Sequence, residues 1–165
     1  MEIKFKIIGH VSHEFSDDQV RNSFKGVKAK IEIDPKYEDG LEGIDGFSHL
    51  ILVSYLNKPH RELLKVKPKR LLLFGLDEND LPEIGVFATD SPSRPNPIGI
   101  SVVKLIERKG RELIVDNCDL FNETPILDIK PLTQDKVPEK ISFPEWHTKL
   151  LELVKKKSGI NLQTV

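Results

Sequence analysis

The sequence predicts an all-β protein: a single antiparallel β-barrel of about seven strands, with short peripheral helices and a C-terminal helix. In several short segments apolar residues alternate with polar ones, which is the pattern of strands with one solvated face. These segments follow one another without regular helices between them, as in antiparallel barrels and sandwiches. At 165 residues the chain is long enough to bury one core. We therefore expect a barrel domain over residues 1–135 and a helical extension over residues 136–165 packed on the same domain.

Alternation or a short apolar run marks each predicted strand. Ile3, Phe5 and Ile7 alternate with charged residues and predict the first strand, and the alternation over residues 27–33 predicts the second. A nearly continuous apolar run over residues 50–56 predicts a strand covered on both faces. The other candidates are residues 71–74 (a strand or a turn-bounded piece of core), 85–89, 100–106, 112–115 and 126–129. Between the segments 100–106 and 112–115, Gly110 supplies the positive φ of a hairpin turn.

Helices are predicted at the margins of the barrel. Residues 17–24 and 60–65 can each form two turns. A longer helix begins at Pro144, a residue favoured in the first turn, and Gly159 ends it. Its apolar residues recur at helical spacing, and we expect this stripe to pack on the barrel or on a second subunit; they are Trp146, Leu150, Leu153 and Val154.

The amino-acid composition limits the classes of protein to which this chain can belong. The apolar fraction is 38% and the charged fraction 31%, which is typical of soluble globular proteins, and no apolar stretch is long enough to span a membrane. The single cysteine, Cys118, excludes an internal disulfide framework, so we expect a cytoplasmic protein. A net charge of −1 argues mildly against a nucleic-acid partner, because phosphate binding favours a basic excess.

The sequence lacks the motifs that are typical of several classes of enzyme. The five histidines are scattered, and with one cysteine no metal-ligand spacing is present, so we expect no metal site. His49 lies within an apolar strand and is more typical of a core residue than of a ligand. The sequence has no glycine-rich dinucleotide fingerprint after a strand, no P-loop and no nucleophile elbow.

Residues 87–99, with the sequence FATDSPSRPNPIG, form the most unusual segment. Its three prolines, at positions 92, 95 and 97, hold the backbone extended and predict a stiff loop between two strands. One interpretation is that the loop presents polar groups such as Asp90, Arg94 and Asn96 to a ligand at low entropic cost. The other is a rigid connector whose arginine and asparagine side chains bind its own carbonyls. The residues alone leave both open.

A second polar segment, residues 119–131, has the sequence DLFNETPILDIKP. Asn122 to Pro125 predict a turn, and the strand that follows places Asp128 and Lys130 on the same face, because they are two residues apart. An acid and a cation on one face can line a pocket wall. They can equally form an exposed ion pair, which contributes little energy.

These two segments together resemble the signature of the TrmO family, also called TsaA-like or YaeB-like. Its pattern runs G-V-F-A-T-R-S-P-x-R-P-N-P-I-G-L-S-V-V and then D-G-T-P-V-L-D-I-K-P-Y. The first block is matched over residues 85–103 and the second over residues 122–132. The segment 43–50 resembles the family's G-x-x-x-F-S-H, and residues 8–11 resemble its opening strand. The resemblance covers most of residues 3–135.

The resemblance implies a homodimeric β-barrel enzyme that binds S-adenosylmethionine (SAM) near the subunit interface. It implies a SAM-dependent methyltransferase that acts on N6 of a threonylcarbamoyl-modified adenosine beside the tRNA anticodon. Asp128 is the candidate that would orient the target amine. The resemblance also implies that backbone from Cys118 to Phe121 meets the adenine. The cofactor residues that it implies are Arg21, Asn22, Asn57, Lys58, Asp90, Arg94, Asn96, Ile100, Asp119, Leu120 and Lys130.

The chain departs from the family pattern at several of these positions. Asp90 stands where the family has arginine, Val20 where it has proline, and Leu132 where it has tyrosine. The pairs 57–58 and 122–123 are Asn-Lys and Asn-Glu in place of His-Gln and Asp-Gly. Two alternatives therefore stay open beside the tRNA methyltransferase: the same scaffold acting on another substrate, and a dimeric SAM-binding or RNA-interacting module without catalysis.

Overall fold

The computed structural model describes residues 2–58 and 61–162. The chain divides into two compact units. The first comprises Met1–Pro59 and Pro97–Val137, and the second His60–Asn96 and Pro138–Val165. The domain boundary expected after residue 135 stays a prediction.

The first unit is a closed β-barrel of six strands, in the order β1-β2-β7-β6-β3-β8, and every neighbouring pair is antiparallel. The predicted antiparallel barrel is therefore confirmed. The described part of the chain contains eight strands, of which β4 and β5 form a separate small sheet. They are β1 (Gly9–Ser12), β2 (Val27–Ile33), β3 (His49–Tyr55), β4 (Lys65–Val66), β5 (Ile84–Gly85), β6 (Ile98–Lys109), β7 (Glu112–Cys118) and β8 (Pro125–Pro131).

Alternating burial along the strands builds the barrel core. In β2, the alternate residues Val27, Ala29, Ile31 and Ile33 are buried, and the lysines and glutamate between them face outward. Apolar residues at every second position therefore fill the interior. The same core includes Val11, Leu41, Leu50, Leu52, Val103, Leu105, Leu113, Val115, Cys118, Leu120 and Ile126. The predicted hairpin joins β6 and β7, with Gly110 at φ 58° in its turn.

The helices are short, apart from the C-terminal one. They are α1 (Asp17–Asn22), α2 (Glu145–Ser158) and the 3-10 helices Pro35–Leu41, Lys69–Phe74, Val86–Ala88 and Gln134–Lys136. The predicted helices at residue 17 and after Pro144 are confirmed. Pro144 is the N-cap of α2, and Gly159 ends it at φ 74°.

The second unit has its own small core, and α2 contributes one side of it. Leu150 and Val154 are buried, and Trp146 and Leu153 are partly buried against the same cluster. Their partners are apolar residues of the segment 71–81. Residues 71–74 were expected as possible core, but their packing against α2 was not. The partners are Leu71, Leu72, Phe74, Leu76 and Leu81. At the other end of α2, Lys157 Nζ lies 2.6 Å from Asp80 Oδ2. This contact raises the pKa of Lys157 and lowers that of Asp80.

The predicted N-terminal strand is wrong, because the first strand begins only at Gly9. Ile3 and Phe5 are 70% and 65% exposed. The reason is the length of the neighbouring strand. β2 ends at Ile33, opposite Gly9. Asp34 N still donates to Ile8 O, but the chain then turns into a 3-10 helix that starts at Pro35, so β2 does not extend alongside residues 3–7.

Two further predictions fail in the second unit, and one open alternative is resolved there. Residues 61–64 are not helical, because Leu63 N donates to Ser93 O and Leu64 O accepts from Val86 N; His60 lies outside the described residues. Residues 71–74 belong to a 3-10 helix that supplies core, which settles that alternative. In the segment 85–89 only Gly85 belongs to a strand, and a 3-10 helix follows it.

The strand over residues 50–56 exists as β3, but it is not covered on both faces. Leu50, Leu52 and Ser54 are fully buried, whereas Tyr55 is 44% exposed. The alternate residues Ile51 and Val53 are only partly covered. β3 therefore has one face in the barrel core and an apolar face outside it.

Candidate functional site

Two predicted cofactor residues converge on one aromatic ring at the rim of the barrel. Arg21 Cζ lies 5.4 Å from the centre of the Phe121 ring, and Lys58 Nζ lies 5.9 Å from it. Asp18 Oδ1 pairs with Arg21 at 2.5 Å, and Asp17 Oδ2 pairs with Lys58 at 3.1 Å. We call these five residues the rim cluster. Cations over a ring face are attracted by its quadrupole, so Phe121 helps to hold both of them at one place.

The start of α1 explains the position of Arg21. Ser16 caps the helix in a capping box with Gln19, and the acidic side chains of Asp17 and Asp18 lie in the first turn, where the helix dipole favours them. Val20 is 2% exposed and anchors the helix in the interior. Arg21 and Asn22 are left exposed on the last turn.

The turn after β7 forms the other side of the rim. Asn122 Oδ1 accepts from His13 N at 2.9 Å, and His13 Nε2 lies 3.0 Å from the carbonyl oxygen of Leu120. The Leu120 side chain is 4% exposed and belongs to the barrel core. Asp119 lies just after β7 and is exposed, and its Oδ1 accepts from Ser101 Oγ at 2.5 Å.

A second group of predicted residues lies on the outside of the barrel. Val53 of β3 pairs with Ile100 of β6 on one side and with Asp128 of β8 on the other. Ile100 is 72% exposed. We call this surface of β3, β6 and β8 the outer face. It is largely apolar, and its apolar residues are Ile51, Val53, Tyr55, Ile98, Ile100 and Val102.

Asp128 and Lys130 border the outer face, and their predicted placement on one side of the strand is confirmed. Lys130 Nζ lies 2.7 Å from Asp128 Oδ2, with both side chains about half exposed. Asp128 Oδ1 accepts from Ile129 N. Asp128 also lines a cleft of about 520 Å³ with Tyr37 and Phe47. The role of Asp128 in chemistry stays a prediction.

The third group lies in the second unit, on the proline-rich loop. Arg94 Nε donates to Ser91 O at 2.8 Å, and its Nη2 donates to Val86 O at 3.2 Å and to Thr89 O. The guanidinium thus binds the loop's own carbonyls, as the rigid-connector interpretation expects. Asp90 and Asn96 are exposed on the same loop. Contact of any of the three with a cofactor stays a prediction.

Asn57 and Lys58 lie just after β3, beyond Leu56, and both are exposed. The structure thus brings Arg21, Lys58 and Phe121 together, and Asp119 lies two residues before Phe121. Asp128 instead contacts Lys130 and the backbone N–H of Ile129.

The sequence analysis missed the side chains of Phe121, Ser101 and Asp17 as parts of the site. Phe121 was expected to contribute only through its backbone, and it lies one residue before the second matched block. Ser101 falls within the matched S-V-V of the first block. For Ser101 this position in the family pattern was the available signal, whereas Phe121 and Asp17 lie outside both matched blocks. The sequence alone could not show that Lys58 and Arg21 lie over the same aromatic ring, because the two residues are far apart along the chain.

Two negative findings concern residues 2–58 and 61–162. Within these ranges, no group of three or more His, Cys, Asp or Glu side chains is arranged to hold a metal ion. No helix in them combines the length and apolar character that a membrane crossing requires.

The known proteins that are similar to this chain carry related names. Residues 17–136 match the family described as tRNA-methyltransferase O N-terminal domain. A protein of Archaeoglobus fulgidus named "Probable S-adenosyl-L-methionine-binding protein" is 44% identical over 117 residues, which are 71% of this chain and 30% of the relative. A mouse protein named tRNA (adenine(37)-N6)-methyltransferase is 35% identical over 116 residues, which are 68% of this chain and 25% of the relative.

Solved structures agree on the fold. A crystal structure of TrmO superposes with a TM-score of 0.63 at 29% sequence identity, and the match covers 86% of this chain and 64% of that one. In each of these three comparisons the chain spans less than two thirds of the other protein's length.

Proposed function

This chain belongs to the tRNA-methyltransferase O N-terminal domain family, and we propose that it is a SAM-dependent methyltransferase that modifies N6 of a tRNA adenosine. The finer substrate we propose is the threonylcarbamoyl-modified adenosine beside the anticodon, in the cytoplasm. The observation that carries the proposal is the convergence of Arg21 and Lys58 on Phe121, with the exposed Asp119 two residues earlier in the chain. The names of the relatives support the cofactor and the reaction.

The chemistry of the rim fits SAM. The cofactor's amino-acid part carries a carboxylate and an ammonium group, and its ribose carries hydroxyl groups. Arg21 and Lys58 are cations suited to a carboxylate. Asp119 is an acceptor suited to an ammonium or hydroxyl donor, and the Phe121 ring offers an apolar face.

When bound, SAM supplies a methyl group activated by its sulfonium. The chain's own residues then have two tasks, which are to hold the reactants in line and to stabilise charge. The acids Asp17 and Asp18 keep Lys58 and Arg21 in place before a ligand arrives. Asp128 would accept a hydrogen bond from the adenosine amine and orient it.

We propose that the protein forms a homodimer through the outer face. Ile100 and Val102 are 72% and 48% exposed, and a contiguous apolar surface of this kind marks an association site. The Asp128–Lys130 pair forms a polar border beside it. A two-fold contact would bury Ile100 and bring Asp128 of each copy to the interface, which accounts for predicted site residues that lie away from the rim cluster.

A methyl-transfer assay tests the proposal. Purified protein, SAM with a labelled methyl group and tRNA containing the modified adenosine should give label at N6, located by mass spectrometry of the digested RNA. Arg21→Ala should reduce transfer by roughly tenfold or more, because a charged contact is lost. Lys149→Ala is the matched control, since Lys149 also sits on a helix beside an acidic partner, Glu145, but lies outside the site.

The second candidate is a dimeric SAM-binding module with another substrate or without catalysis. Asp90 supports it, because an acid replaces the family's arginine there and is exposed on the proline-rich loop. SAM binding without transfer to the modified tRNA would favour this candidate. Transfer gained only in Asp90→Arg would assign the loss of activity to that position.

A further inference from the structure

Ser101 is a buried hydroxyl whose partner is exposed. It lies on β6, is 5% exposed, and is flanked along the strand by inward-facing Val103 and Leu105. Its Oγ donates to Asp119 Oδ1 at 2.5 Å. A buried hydroxyl that loses its partner carries the full cost of desolvation, so this bond is strongly favoured. Because the acceptor is a carboxylate, the bond is also of the stronger, charge-assisted kind.

The pairing of β6 with β7 brings Ser101 and Asp119 together, although Asp119 lies just after the end of β7. β6 and β7 pair as far as Lys104 and Asp116, and Ser101 and Asp119 each lie three residues farther along. Asn117, between Asp116 and Asp119, has φ 62° at a point where the register of β2 and β7 shifts. Bulges of this kind redirect side chains near functional sites.

We propose that Ser101 is a positioning residue that fixes the Asp119 carboxylate for the cofactor. This inference rests on the proposed function. An exposed aspartate by itself samples several rotamers, and ordering it on binding costs free energy. The Ser101 bond engages Oδ1 in advance and leaves Oδ2 to accept from an ammonium or hydroxyl group of SAM.

Calorimetric titration of SAM into the full chain tests the role. Wild type is measured first, because a wild type that does not bind overturns the proposed function and this inference together. If it binds, Ser101→Ala should raise the Kd about tenfold, the effect of one charge-assisted hydrogen bond. Ser101→Thr retains the hydroxyl and should restore affinity to within about twofold. Asp119→Asn should also weaken binding, and adding Ser101→Ala to it should weaken binding no further.

Ser54→Ala is the matched control. Ser54 is a fully buried serine of the same barrel, but its hydroxyl faces a backbone carbonyl, that of Gly99, at 3.5 Å. It should leave the Kd unchanged. The inference is overturned if Ser101→Ala binds like wild type, if Ser54→Ala weakens binding equally, or if the double variant is weaker than Asp119→Asn by the full Ser101→Ala factor. Should Ser101→Ala not fold, Ser101→Cys, with a weaker donor of similar size, should raise the Kd; unchanged affinity there overturns the inference.

Discussion

Cys118, at the end of β7, is buried in the barrel core. Burial raises the pKa of its thiol to about 11, so the reactive thiolate is scarce at neutral pH. We predict that a disulfide reagent at pH 8 labels the folded protein at least about a hundredfold more slowly than the unfolded chain, since two pKa units reduce the thiolate by that factor. Absorbance of the released thiol measures the rate. Fast stoichiometric labelling of the folded protein would contradict the burial.

Glu123 has a left-handed backbone, with φ 63°, at the position where the family pattern has glycine. This conformation costs a residue with a side chain roughly 1–2 kcal/mol, whereas glycine adopts it freely but loses more entropy on folding. We predict that Glu123→Gly raises the free energy of unfolding by about 0.5–1 kcal/mol. Urea denaturation measures this change. A lower stability would show that the Glu123 side chain makes a stabilising contact that outweighs the strain.

At the scale of single elements, the proline-rich loop depends on Arg94. Its guanidinium donates to the carbonyl groups of Val86, Thr89 and Ser91 at once. A lysine ammonium cannot reproduce that planar geometry. We predict that Arg94→Lys lowers the free energy of unfolding by about 1–3 kcal/mol and speeds amide exchange in residues 86–94. Asp90→Asn, at an exposed position of the same loop, is the control. Equal amide-exchange rates in Arg94→Lys and wild type would show that the loop does not depend on Arg94.

Elements with a clear local signal could be predicted from the sequence. The alternation in β2, the Gly110 hairpin and the capped helix α2 each carry their signal in adjacent residues, and all three were found. The N-terminal segment alternates equally well but is not a strand, because a strand also needs a partner and β2 ends at Ile33. Leu63 and Leu64 are not helical for a different reason, because their backbone groups bond to the distant residues Ser93 and Val86.

The arrangement of the site could be predicted only where the spacing of residues along the sequence determines their geometry. The same-side placement of Asp128 and Lys130 follows from a spacing of two along a strand. The meeting of Arg21 and Lys58 over Phe121 depends on how α1, the end of β3 and the turn after β7 close around one rim, which no local pattern encodes. The side chain of Leu120 lies in the core, and the expected contact of its backbone with the cofactor stays a prediction.

For the whole molecule, the apolar outer face leads to a prediction about assembly. We expect wild type to be a dimer in solution and Val102→Glu to be a monomer, because a charge at the centre of an apolar contact is buried without a partner. Light scattering after size-exclusion chromatography measures the mass. Ile141→Glu, another exposed isoleucine, 68% exposed on the second unit, is the control and should stay dimeric. A monomeric wild type, or a dimeric Val102→Glu, would contradict this interface.

The most direct test of the account is whether the purified protein binds SAM at the rim cluster. Isothermal titration should show saturable binding of one SAM per chain at micromolar affinity, weakened in Arg21→Ala and unchanged in Lys149→Ala. Absence of binding at near-millimolar SAM would contradict the account, and binding unaffected by Arg21→Ala would place the cofactor elsewhere.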